Sequence, residues 1–149
     1  VDKLIDYRVL QVEQYRVYAR AGHPLAGQES VTPARLLEFP WIAGADDDRV
    51  SEDVEASFRA AGLDPPRPVF RTDSVSFAIN LVMQCNALFI LPSETVRREV
   101  ASGQLVAIDV QAERWTRPTV VFFRKNSTRS PDSIRFLKEL KRIVERSTY

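Results

Sequence analysis

The sequence predicts an α/β fold in which parallel strands are covered by helices, and two observations carry that expectation. Between Pro68 and Val110, strand-like and helix-like runs alternate in the order β, α, β, α, β. Within that stretch, a helix opening at Asp73-Ser74 leads into a continuous apolar run, Leu88-Phe89-Ile90-Leu91, the pattern of a strand buried on both faces. An apolar share of 44% over 149 residues can bury a real core, in one domain or in two small lobes sharing crossovers.

Each element has a local reason. From Tyr7 to Arg20 the residues Tyr7, Val9 and then Tyr15, Val17, Ala19 alternate with polar ones, which predicts two short half-buried strands. Gly22-His23-Pro24 breaks that pattern. Thr32-Pro33 supplies a cap and a first-turn proline for a short helix through Leu36 and Leu37, which Pro40 ends. Phe39 to Gly44 reads as a brief extended piece, followed by the acidic loop Asp46 to Asp48. Val50, Val54, Phe58 and Ala61 then set up a helical stripe that Gly62 stops.

Pro65, Pro66 and Pro68 enforce an extended connector into a strand from Pro68 to Thr72, and a helix runs from Asp73 to about Gln84. After the strand Ala87 to Leu91, Ser93 and Glu94 open a helix carrying Val96 and Val100, which Gly103 closes before a strand from Leu105 to Val110. Arg114 to Pro118 reads as a crossover and Thr119 to Phe123 as a strand. The last helix has Ser130 as cap, Pro131 in the first turn, and an apolar face of Ile134, Leu137, Leu140 and Val144.

Composition excludes several functions. With 21 basic and 20 acidic side chains the net charge is +1, which gives no pull toward nucleic acid, and no helix has a basic, base-reading face. The lone Cys85 excludes an internal disulfide framework and a cysteine-rich zinc site, and it is compatible with a reducing cytoplasm. The longest apolar stretch, Ala87 to Pro92, is far short of the ~20 residues a membrane span needs. The opening residues lack the regions of a signal peptide, and a start at Val1 without a domain-opening cap is expected of a fragment of a longer, cytoplasmic protein.

Candidate chemistry is sparse, so an enzyme is not expected, nor a metal or cofactor. Any triad, histidine metal pair or general base would have to be built on His23 alone, and no orienting partner is recognisable near it. A structural role is the simpler reading. Cys85, at the end of an apolar helix, reads as a small core hydrophobe. The Asp46 to Asp48 run lacks the alternating ligands, glycine and closing glutamate of a calcium loop. Asp73 and Ser74 sit at a strand-to-helix turn, where ligands of α/β proteins bind and where first-turn amides suit an anion. They can cap the helix, contact a ligand, or do both. A carboxylate at Asp73 would repel an anion unless it turned away.

Taken together, Gly22-His23-Pro24-Leu25-Ala26, Phe39-Pro40-Trp41-Ile42, Leu81-Val82, Leu91-Pro92, Gly103-Gln104-Leu105-Val106 and Ser130-Pro131 with Phe136-Leu137 resemble the effector-binding domain of LysR-type transcriptional regulators. The resemblance covers nearly the whole chain. It implies a two-lobed α/β domain of the type II periplasmic-binding-protein kind, with residues 1–42 and 118–149 in a first lobe and 43–117 in the second. The first lobe would be incomplete, its opening elements lying upstream with a winged helix-turn-helix.

By the same resemblance, a small organic and anionic effector would be held in the cleft between the lobes and would control DNA binding and transcription. The positions carried over are Ile42, Ala43, Gly44 and Ala45 in the hinge segment and Thr72, Asp73, Ser74 and Val75 in the turn. The helix from Ser93 implies a homodimer or tetramer, with Ser93, Val96, Arg97 and Val100 as interface candidates. DNA would be contacted only through the upstream domain. The alternative is a solute-binding protein of a transport system, which would share the lobes and cleft. Where the family commonly has Gly-x-Gly, this chain has Cys85, Asn86 and Ala87, so its backbone there lacks glycine's freedom at positive φ.

Overall fold

The structure, a computed structural model, describes residues 4–44, 49–111, 115–125 and 130–147. Ala45, the acidic run Asp46 to Asp48, Arg114 and the side chain of Val50 lie outside them. Contacts divide the chain into two units, residues 14–116 and residues 1–13 with 117–149.

The 14–116 unit is built on a mixed sheet. The long strand β1 (Ile5–Arg20) enters it at Gln14, and its end pairs antiparallel with β4 (Phe89–Pro92) on one side and β5 (Leu105–Ala107) on the other. Next to β4 lies β2 (Trp41–Ala43), joined to it by a parallel bridge between Trp41 and Leu88, and β2 pairs in parallel with β3 (Pro68–Arg71). The parallel expectation therefore describes β2, β3 and the approach to β4. β1, about which the sequence made no such prediction, runs antiparallel to both neighbours. The expected pair of short strands between Tyr7 and Arg20 is one strand without a turn, because no glycine or proline interrupts it before Gly22.

Two apolar layers cover the two faces of this sheet, and the alternation of β1 feeds both. Val17 and Ala19 point to one layer, with Leu36 of α1 (Pro33–Leu36), Val54 and Phe58 of α2 (Arg49–Ala60), Leu88 and Trp115. Tyr18 points to the other, with Ala78, Ile79 and Val82 of α3 (Val75–Gln84), Phe89 and Val96. This double coverage is why residues 87–91 are apolar without alternation. Trp41 anchors the first layer: its indole N–H donates to the Leu36 carbonyl at 3.0 Å and its ring meets Phe58 edge-on at 5.9 Å.

Helix α2 and the short α4 (Arg97–Ala101) stop by the same device. Gly62 and Gly103 take φ of +74° and +70°, and each is followed by a 6→1 bond, Leu63 N–H to the Phe58 carbonyl and Gln104 N–H to the Glu99 carbonyl. α4 begins at Arg97, later than the expected Ser93, since residues 93–96 form turns.

Residues 14–42 supply the central strand, α1 and β2 of the larger unit, so the break falls between Glu13 and Gln14. In the other unit, β6 (Trp115–Arg124) pairs with β1, and Lys125 N–H donates to the Leu4 carbonyl at 2.8 Å. The strand starts at Trp115, inside the stretch expected to be a crossover. α5 (Pro131–Ser147) is capped as expected, with Ser130 Oγ accepting from the Ser133 amide at 3.2 Å. Of its expected apolar face, Leu137, Leu140 and Val144 are half-buried while Ile134 is exposed.

Candidate functional site

The two segments singled out in the sequence meet at the carboxyl ends of β2 and β3. Ala43 lies opposite Arg71 in the parallel register, and the Ala43 carbonyl accepts from the Thr72 amide at 3.2 Å. The chain then turns into α3. Thr72 Oγ1 accepts from Ser74 N–H at 3.0 Å, and Ser74 Oγ accepts from Phe77 N–H at 3.3 Å. Ser74, with φ −84° and ψ 98°, is thus the N-cap, and Asp73 stands outside the helix. The amides of Val75 and Ser76 are left without an intrahelical acceptor by the geometry of a first turn.

The eight candidates are not equivalent. Ala43, Gly44 and Thr72 are half-buried, whereas Asp73, Ser74 and Val75 are exposed. The Ile42 side chain is 2% exposed and packs in the apolar layer beneath α3, and it also lines the crevice beside Ala43. Ala45 lies outside the described residues. A crevice of about 60 Å³ opens beside Ala43 and Gly44, walled by Trp41, Val54 and Phe89 and by Pro66 and Pro68. Two charged residues that the sequence reading did not name, Glu55 and Arg71, also line it. Arg71 was legible in principle, as the last strand residue before the turn. Glu55 was not, because it reaches the crevice from α2, a long-range packing relation.

The single histidine is held structurally. His23 is 3% exposed, its Nδ1 accepts from Leu25 N–H at 3.1 Å, and its ring lies 4.4 Å from that of Phe39. Nε2 has no hydrogen-bond partner among the described residues, although the Asn86 backbone is near enough to favour protonation. Burial outweighs that and holds the imidazole below its usual value, with the Arg20 charge adding to the effect. Cys85 Sγ donates to the Leu81 carbonyl at 3.1 Å, as the closing residue of α3. Among the described residues, no group of three or more His, Cys, Asp or Glu is placed to hold a metal, and no helix is long and apolar enough to cross a membrane.

The interface candidates also separate. Val96 is fully buried in the layer under α3. Ser93 is tied to β1, its amide and hydroxyl both donating to the Gln14 carbonyl at 2.9 and 3.1 Å. Arg97, paired with Glu94, and Val100 remain on the surface.

A central mixed sheet with helical layers, and a mouth at the carboxyl ends of parallel strands, define an α/β ligand-binding domain. Residues 1–144 match the model of the family described as the LysR substrate binding domain, and the chain belongs to that family. It is 26% identical over 124 residues to the HTH-type transcriptional regulator YdcI of Escherichia coli K12, across 83% of this chain and 40% of that protein. Its fold is shared with the regulatory domain of CcmR from Synechocystis PCC6803, solved in complex with 2-PG, at a TM-score of 0.75 and 19% identity, over 97% of this chain and 69% of the other. The effector binding domain of QuiR, solved in complex with shikimate, matches at a TM-score of 0.74 and 18% identity, over 98% and 69%. The chain spans only 33% to 40% of the length of the curated relatives it matches, all of them transcriptional regulators.

Proposed function

We propose that this chain is the ligand-sensing and dimerising module of a LysR-type transcriptional regulator, with no catalytic activity of its own, acting in the cytoplasm. A small organic anion binds in the cleft between two lobes and shifts the balance between two arrangements of attached DNA-binding domains. Such coupling requires different affinity for the two states. Within residues 14–116 the contacts are made by Ile42, Ala43, Gly44, Thr72, Asp73, Ser74 and Val75. The observation that carries the reading is the bond between Thr72 N–H and the Ala43 carbonyl, which gathers both candidate segments at the ends of adjacent parallel strands.

Shikimate, bound by QuiR, is a carboxylate of the expected class. The transport alternative has no comparable support and is not carried forward. Dimers form through the exposed side of α4, using Arg97 and Val100. The test is calorimetry on the full-length protein with a panel of carboxylates and sugar acids, followed by operator binding with and without each ligand found. A ligand whose binding alters operator affinity is expected; if ligands bind and operator affinity never changes, the regulatory reading falls.

A further inference from the structure

We infer that the solvent face of α5 is a docking surface for the phosphate backbone of duplex DNA, beside the bases that attached DNA-binding domains read. The inference goes beyond the proposed sensing role and rests on that reading for the presence of DNA. The net charge of +1 averages an uneven distribution. Residues 14–116 hold ten basic and fourteen acidic side chains, whereas residues 1–13 and 117–149 hold eleven basic and six acidic, so positive charge gathers in the unit that contains α5.

Within α5 that charge has a direction. At about 100° per residue, Arg135, Lys138 and Arg142 fall on one stripe, opposite the half-buried Leu137, Leu140 and Val144. All three are exposed. Arg142 has Glu139 at 3.5 Å, and Lys141 on the flank has Glu145 at 3.7 Å, both in solvent, where such pairs are weak. The side chains of Arg135 and Lys138 make no ion pair or hydrogen bond among the described residues.

The stripe from Arg135 to Arg142 is about 10 Å long, a length over which one DNA strand places about three phosphates. Guanidinium and ammonium groups suit phosphate oxygens, and release of the counterions condensed on DNA favours the contact whatever the sequence. Such a contact is weak alone. DNA already held by attached domains meets it at a high effective concentration, so that the stripe positions the duplex without reading bases.

The experiment is fluorescence anisotropy of the full-length protein on a long labelled duplex of mixed sequence, between about 50 and 200 mM salt. Arg135→Gln combined with Lys138→Gln should weaken binding roughly tenfold at low salt and flatten the slope of log affinity against log salt by about 1.8, the loss of two phosphate contacts. Lys138→Gln alone, with about half that change in slope, carries the test if the pair melts early. Arg35→Gln combined with Arg67→Gln, an equal charge change at exposed positions of the other unit, should alter neither quantity. Melting curves and sedimentation accompany each variant. Wild-type affinity and slope in the α5 variants overturn the inference and leave the regulatory reading standing, while a full-length protein that binds no duplex overturns both. Equal loss in the control pair reduces the effect to net charge and overturns the stripe. Loss of affinity together with dissociation into smaller species also overturns it, and assigns the stripe to a second copy of the chain.

Discussion

His23 shows how one side chain in this chain couples packing to pH. Its folded imidazole titrates below its usual value because charging it would bury an ion against Phe39. The unfolded chain therefore binds the extra proton first. Stability is fully present above about pH 6.5 and is lost as pH falls from there toward the lower folded value. Urea titrations at pH 8 and pH 5.5 should show a lower midpoint at the acid end, with the difference reduced in His23→Gln. Ser74 is a second such residue. Removing its cap in Ser74→Ala should cost about 1 kcal/mol, read from denaturation midpoints, because the Phe77 amide then loses its acceptor. Phe58→Ala should cost about 3–5 kcal/mol, since that ring is 1% exposed and packs edge-on against Trp41.

Helices here are defined as much by their ends as by their faces. At Gly62 an alanine Cβ would meet nothing within 4 Å, so Gly62→Ala tests backbone conformation rather than space. It should destabilise by about 1–2 kcal/mol through strain at φ +74°. Equal or greater stability in that variant would contradict the left-handed cap. Along α4 and the turn before it, burial sorts the residues by role. Val96→Ala should lower the melting temperature, while Val100→Asp should leave it nearly unchanged and shift the sedimentation profile toward monomer if this surface joins two subunits. The length of α4 illustrates why ends are hard to read. Ser93 is a good cap by type, yet its hydroxyl and amide are both spent on the Gln14 carbonyl, a tie to β1 that delays the helix to Arg97.

Across the molecule, the two apolar layers and every strand between β2 and β5 lie within residues 14–116. That segment, expressed alone, is expected to unfold in one cooperative transition monitored by circular dichroism. A gradual melt would show that the remaining residues are needed for its core. Most elements and their order were legible from period and punctuation: Gly62, Gly103, Ser74 and Ser130 close or open helices by purely local chemistry, which a linear sequence carries in full. The turn at Thr72 to Val75 was legible for the same reason. Strand direction was not, because β1 alternates identically whether its neighbours run parallel or antiparallel, and only its pairing with β4 and β5 decides between them. The boundary near residue 13 and the burial of Ile42 and Val96 depended on those pairings as well. Local propensity and caps thus determined which elements form, whereas long-range pairing decided how they divide, which apolar residues reach the core, and that Arg71 and Glu55 share a crevice with Ala43.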